Sequence, residues 1–284
     1  MSADVDRIVQ ENARLTKEVR DLQARVKAIE SSRWWRLNPR HALRKRHAAE
    51  EDRPQAGQPS FPMDFDEEDK QLYRRVALYT MTTPPRIYAL VRAVEYVVAR
   101  GVPGALVECG VWRGGSMMAV ALTLQRLGAT DRDLYLFDTF AGMTPPTDED
   151  VRQTGERAAD LLADESREAD VWAVASLDEV REAVLDVGYP HERIHFVQGP
   201  VEETLPAHAP TEIALLRLDT DWYASTKHEL VHLYPRLGRG GVLIVDDYGF
   251  WQGARQAVDE YMSENRVSLL LNRIDHTARI ALKP

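Results

Sequence analysis

The chain has 284 residues, room for one large domain with appendages, and 44% of them are apolar, ordinary for a globular protein. A net charge of -9 excludes a general nucleic-acid binder, and the single cysteine, Cys109, excludes an internal disulfide framework and suits a reducing compartment. No stretch reaches the ~18 consecutive apolar residues of a membrane span, and the charged N-terminus carries no signal-peptide pattern, so a cytoplasmic protein is expected.

Residues 5 to 30 carry a heptad pattern. Val5, Asn12, Val19 and Val26 fall at a positions, and Ile8, Leu15, Leu22 and Ile29 at d. β-Branched residues at a, with one asparagine among them, predict a parallel two-stranded coiled coil over 1–31 and hence a homodimer. An amphipathic helix lying on its own domain is the alternative, although its apolar stripe would be wider. Arg33-Trp34-Trp35-Arg36 leads on to Arg44-Lys45-Arg46 with no acid between. Such a segment, 33–46, suits an anionic membrane surface, which would make the protein peripheral to the inner face of the membrane, or an acidic partner. Equally, its tryptophans could pack on the coil or the main domain. A polar linker with Pro54, Gly57, Pro59 and Pro62 completes 32–63.

The globular domain, 64–284, alternates between helical and strand patterns. Helical periodicity covers about 66–79 and 84–100. Strands are expected at 105–109, 134–138, 194–198, 213–218 and 241–245, with helices at 115–127, from 176, from the end of the fourth strand to about 234, and at about 253–264. Ser176 with Glu179 three residues on reads as a capping box. Residues 142–175 are polar and irregular, and 267–272 with 277–282 read as an antiparallel pair. This alternation predicts a doubly wound, mostly parallel α/β sheet closed by that C-terminal pair.

Two regions carry chemistry. The first strand runs into Val107-Glu108-Cys109-Gly110-Val111-Trp112-Arg113-Gly114-Gly115-Ser116. Its glycines allow a tight turn and a close ligand approach, and the helix start offers N–H groups to an anion; a bare strand-to-helix turn is the alternative. The motif resembles the first motif of class I S-adenosylmethionine methyltransferases. Asp138, ending the second strand, is placed to accept ribose hydroxyls, or is a helix cap or surface acid. Gly199, after the third, would approach the adenine end or merely form a turn. Cys109 reads as core rather than nucleophile.

The other region is Leu218-Asp219-Thr220-Asp221 with Val245-Asp246-Asp247-Tyr248, two acidic pairs each following an apolar run. Strands of this kind are buried, and α/β proteins bind ligands at their carboxyl ends. Gathered carboxylates repel by roughly 4 kcal/mol per close pair at an effective dielectric of 20. A hard cation such as magnesium would relieve that. The alternative is helix capping by Asp221 and Asp247. Lys227 and His228, on the following helix, are either bases or part of a solvated face.

Taken with Tyr79-Thr80-Met81-Thr82, Tyr234-Pro235-Arg236-Leu237, Gly240-Gly241 and Gly253-Ala254-Arg255-Gln256-Ala257-Val258, these motifs resemble the macrocin O-methyltransferase family over about 72–282. The resemblance implies a Rossmann-like class I methyltransferase fold, S-adenosylmethionine and Mg2+ as cofactors, and a sugar hydroxyl of a glycoside or polysaccharide as acceptor. It implies Asp219, Asp246 and Asp247 as metal ligands and Asp221 as general base. Met81, Thr82, Glu108, Gly110, Arg113, Gly114, Ser116 and Asp138 then fall in cofactor-binding segments. Residues 142–175 lie where the family covers its substrate, and the first sixty or so residues read as an addition to the usual enzyme. Two further readings stay open: a non-catalytic coiled-coil scaffold for glycan assembly, and a catechol-type methyltransferase.

Overall fold

A computed structural model describes residues 61–164 and 172–284. The predicted coil, the 33–46 segment and nearly all of the linker lie outside the described residues. The domain opens with α1 (Glu67–Val76) and α2 (Pro84–Ala99), then β1 (Ala105–Cys109), α3 (Gly115–Arg126), β2 (Leu134–Asp138), α4 (Ala158–Asp164), α5 (Leu177–Leu185) and β3 (Ile194–Gln198). It continues through α6 (Val201–Thr204), β4 (Ile213–Leu218), α7 (Tyr223–Leu233), β5 (Leu237–Val245), α8 (Gln252–Glu264), β6 (Asn272–Arg273) and β7 (Arg279–Leu282).

One seven-stranded sheet has the order β3-β2-β1-β4-β5-β7-β6. Strands β1 to β5 are parallel, and β7 joins β5 antiparallel, with β6 outside it. This is a doubly wound α/β sheet closed by an antiparallel C-terminal edge. β1 and β4 are buried along their whole length, as expected of strands covered by helices on both faces. α2, α3 and α5 supply Val94, Leu124 and Val184 to one face, and α7 and α8 supply Leu230, Leu233 and Val258 to the other. Each such fully buried side chain stabilises the fold by about 1.5–3 kcal/mol. The chain moves outward from β1 through β2 to β3, then returns to the other side of β1 as β4. The ligand crevice of such a sheet opens at that switch point, outside the carboxyl ends of the strands.

The local signals carry physical weight here. Asp66 caps α1, accepting from the Asp69 N–H at 2.8 Å. The Ser176–Glu179 capping box is formed in both directions. Three expectations need correction. β5 begins at Leu237, not 241, because Leu237 pairs with Ile213, and the glycine-rich stretch after it bulges out before pairing resumes between Leu215 and Val242. The 142–175 segment is not wholly irregular: α4 forms because Ala158 and Leu162 pack with Trp222, Trp251 and Ala254 in a small apolar cluster. Of the C-terminal pair, only Asn272–Arg273 and Arg279–Leu282 are strands, while Val267, Leu269 and Leu271 pack on the core without a ladder. No described helix is long and apolar enough to cross a membrane.

Candidate active site

The carboxyl ends of the parallel strands are drawn level by hydrogen bonds one residue beyond the ladders. Gly199 N–H donates to Asp138 O, Gly110 to Phe137 O, Asp219 to Cys109 O and Asp246 to Leu218 O, each at 2.9 Å. Residues far apart in sequence thus stand in one row along the edge of the sheet. A cavity of about 440 Å³ opens over that row.

At its glycine end, Gly110 has φ +82°, and a Cβ there would lie 1.9 Å from the Asp219 carbonyl oxygen. Only glycine lets the β1 turn and the β4 terminus meet so closely. Asp138 Oδ2 accepts from the N–H groups of Val111 (2.6 Å) and Trp112 (3.0 Å), and Oδ1 from Phe140 (2.7 Å). Burial raises its pKa and these N–H groups oppose the rise. Asp138 therefore braces the glycine turn while facing the cavity. The helix start is not wholly open: Gly115 N–H donates to Tyr79 O at 2.9 Å. Met81, Thr82, Gly110, Ser116, Asp138 and Gly199 line the cavity; Glu108, Arg113 and Gly114 do not. Glu108 is buried against Arg217, Arg113 stacks on Trp112, and Gly114 forms the left-handed cap of α3 against Val184.

At the acidic end, Asp219, Asp246 and Asp247 each offer a carboxylate oxygen, all within 4.8 Å of one another. Arg217, inside β4, reaches Glu108, Asp219 (2.7 Å) and Asp246 (2.8 Å). Arg86 from α2 meets Asp246 and, at 2.7 Å, Asp275. Two guanidinium groups offset only part of the negative charge gathered there. Burial pushes the Asp219 and Asp247 carboxyls well above the usual range; Arg217 pulls both down, while neighbouring acids raise them further. Asp247 Oδ2 is buried with no hydrogen-bond partner among the described residues. An orphaned oxygen beside two further carboxylates in an all-oxygen set fits a hard divalent cation.

Asp221 adopts φ +67°, rare for a residue with a side chain. The Trp251 indole N–H donates to its Oδ1 at 2.7 Å. Burial, then the charge of Asp219, pushes its carboxyl up to about 7 against that hydrogen bond. Capping does not explain these acids. The caps of α7 and α8 are Trp222 and Trp251, with no side-chain cap bond, and the Tyr223 N–H is taken by Asp150. Nor do the alternative bases reach the cavity: Lys227 pairs with Glu264 at 2.7 Å, and His228 faces Leu205 O at 3.4 Å. Cys109 is fully buried, and burial pushes its thiol up, as suits a core residue.

Sequence reasoning missed Arg86, Arg217, Asp150, Glu229 and Trp251. Arg217 had a readable signal, a lone charge within Ile213–Leu218, which a buried strand holds only if it is paired. Glu229, fully buried on α7, accepts from the Thr220 hydroxyl at 2.9 Å and thereby anchors the residue between Asp219 and Asp221.

Residues 15–281 match the family model for macrocin-O-methyltransferase (TylF), so the match reaches back into the N-terminal stretch read above as an addition. The 8-demethyl-8-(2,3-dimethoxy-alpha-L-rhamnosyl)-tetracenomycin-C 4'-O-methyltransferase of Streptomyces olivaceus is 37% identical over 199 residues, 70% of this chain and 73% of that protein. The mycinamicin III 3''-O-methyltransferase of Micromonospora griseorubida is 33% identical over 197 residues, 69% of this chain and 75% of that protein. Among solved structures, the O-methyltransferase NovP superposes with a TM-score of 0.63 at 33% identity, covering 72% of this chain and 82% of NovP.

Proposed function

This chain belongs to the macrocin O-methyltransferase family and is an S-adenosylmethionine-dependent O-methyltransferase, and on that premise we propose that it methylates a sugar hydroxyl of a glycoside with the help of magnesium. The observation that carries the reading is the convergence of Asp219, Asp246 and Asp247 beside Asp221, on the wall of the cavity that also runs over the glycine turn. The related enzymes above are named for rhamnosyl and mycinamicin acceptors, which supports a sugar.

The chemistry follows from the groups present. The sulfonium methyl is already electrophilic, and an alcohol is a poor nucleophile at neutral pH. Residues of the glycine end, Met81, Thr82, Gly110, Ser116, Asp138 and Gly199, hold the donor so that its methyl points at the acidic end. A magnesium ion held by Asp219, Asp246 and Asp247 would supply the positive charge that gathers these acids and polarises the acceptor oxygen. Asp221 takes the hydroxyl proton as the oxygen lone pair bonds to the methyl carbon. The carbon–sulfur bond breaks as that bond forms, and S-adenosylhomocysteine leaves. Trp222, Phe250 and Trp251 wall the acceptor side and exclude water.

The test is an acceptor screen with methyl-labelled S-adenosylmethionine, using p-nitrophenyl glycosides, α-L-rhamnoside included, against catechols, with MgCl2 or with EDTA. Label transfer to a glycoside that EDTA abolishes is expected. Transfer to catechol alone would favour the catechol reading. Failure of the protein to bind S-adenosylmethionine in calorimetry would favour the scaffold.

A further inference from the structure

Asp150 lies in the acid-rich stretch over the site, yet it is 1% exposed and does not line the cavity. Its carboxylate is spent inside the protein. Oδ1 accepts from the Tyr223 N–H at 2.7 Å, at the start of α7, two residues beyond Asp221. Oδ2 accepts from the Thr147 N–H (2.7 Å) and hydroxyl (2.9 Å), which closes the stretch on itself. A Cβ on Gly253 would sit 2.2 Å from Asp150 Oδ1, so α8 carries glycine in its first turn where this carboxylate passes. The same stretch is stitched to the residues after Asp247. Arg152 bridges Trp251, Gln252 N–H donates to Val151 O at 2.8 Å, and Gln153 N–H to Phe250 O at 3.1 Å. The Trp222 indole donates to Thr144 O at 2.9 Å. Trp251, 3% exposed and packed edge-on against Trp222, then donates its indole N–H to Asp221.

We propose that Asp150 and Trp251 are positioning residues, through which the 144–157 segment holds Asp221 in its left-handed conformation with one oxygen fixed and the other turned to the acceptor. The proposal rests on the reading of Asp221 as general base. Asp221 needs such holding because its φ of +67° is disfavoured for any residue bearing a Cβ. The bonds on either side of it, Trp222 N–H to Thr220 O and the indole to Oδ1, restrain it from both ends. An anion against the first turn of α7 also suits the helix dipole. Thus the cover and the base form one unit.

Hydrogen exchange on the full chain with S-adenosylhomocysteine and MgCl2 tests the coupling. Asp150→Ala should raise exchange in 144–157 and in 219–225 together, while 107–118 and the affinity for S-adenosylhomocysteine in calorimetry stay as in the parent. If 144–157 loosens while 219–225 keeps its protection, the proposal fails. Should Asp150→Ala not fold, Asp150→Asn carries the same test, since it keeps the volume but turns an amide donor toward Thr147. With the glycoside turned over fastest in the acceptor screen, Trp251→Phe should lower kcat on the order of tenfold to a hundredfold with KM for S-adenosylmethionine unchanged, the size expected of a misplaced group. Combining it with Asp150→Ala should cost no more than the larger single effect, because both act through one group. Unchanged kcat in Trp251→Phe, or effects that multiply, would overturn the proposal. Asp221→Asn, run alongside, separates this failure from failure of the base assignment, which alone would leave that variant active.

Discussion

Replacing Arg217 by methionine keeps most of the apolar stem and removes the guanidinium that bridges Glu108, Asp219 and Asp246. Glu108 is 1% exposed and its second oxygen has no hydrogen-bond partner among the described residues, so Arg217 is its main relief. Removing one member of a buried ion pair costs about 3–5 kcal/mol. Arg86 still faces Asp246, which keeps the loss within that range although three acids share the missing partner. We expect about 4 kcal/mol at pH 8, and at about 2–4 °C per kcal/mol for a domain of this size, a fall in Tm of roughly 8–16 °C. The loss should depend on pH. Burial already raises the Glu108 carboxyl from its ordinary 4.5 to about 7, against the pull of Arg217, and without Arg217 it rises further. A carboxyl with a raised folded pKa binds more protons folded than unfolded, so its contribution is fully present below 4.5 and is lost as pH climbs through the folded value. The variant should therefore lose less at pH 5.5 than at pH 8, and Glu108→Gln in the same chain should recover part of the loss. Urea denaturation of metal-free protein, followed by tryptophan fluorescence at both pH values, makes the measurement. A loss below about 1 kcal/mol at pH 8, or one that ignores pH, would refute the reasoning.

Asp221→Asn should lower kcat by roughly 10²–10⁴-fold while calorimetry finds S-adenosylhomocysteine bound as before. MgCl2 should raise the Tm of the parent by mass action and leave that of Asp247→Asn nearly unmoved, because the orphaned oxygen is gone. Glu229 is fully buried, and burial pushes its carboxyl well above 4.5; its charge form becomes costly as pH rises, so Glu229→Gln should stabilise the metal-free protein at pH 8 and change little at pH 4.5. Gly110→Ala must move backbone, since the new Cβ would meet the Asp219 carbonyl at 1.9 Å; it should cost more than about 1 kcal/mol in urea melts and weaken S-adenosylmethionine binding.

Much of this protein is written locally. The run Ile213–Leu218, apolar but for Arg217, and the capping box at Ser176 announce elements without reference to the rest of the chain, because periodicity and caps act over a few residues. The glycine turn and the two acidic pairs are likewise visible, since each follows directly on a strand. Elements that depend on distant partners were misjudged. The first half of β5 is glycine-rich: only its Leu237 pairs with β4, before a register shift, while Gly240 and Gly241 bond to Lys283 instead. α4 is seven residues, too short to stand without Trp222 and Trp251 beneath it.

The residue types at the site, and their position at strand ends, follow from the order of amino acids alone. Which charge answers which does not. Glu108 and Arg217 are 109 residues apart and meet because β1 and β4 are neighbours, an adjacency produced by the crossover. Asp150 reaches Tyr223 across 73 residues because a loop folds back over two helix starts. Burial, and with it the carboxyl of Asp221 pushed to about 7, exists only once those pieces have closed around it. Chain order supplies the groups; packing supplies the low dielectric and the distances that turn them into an acid, a base or an ion site.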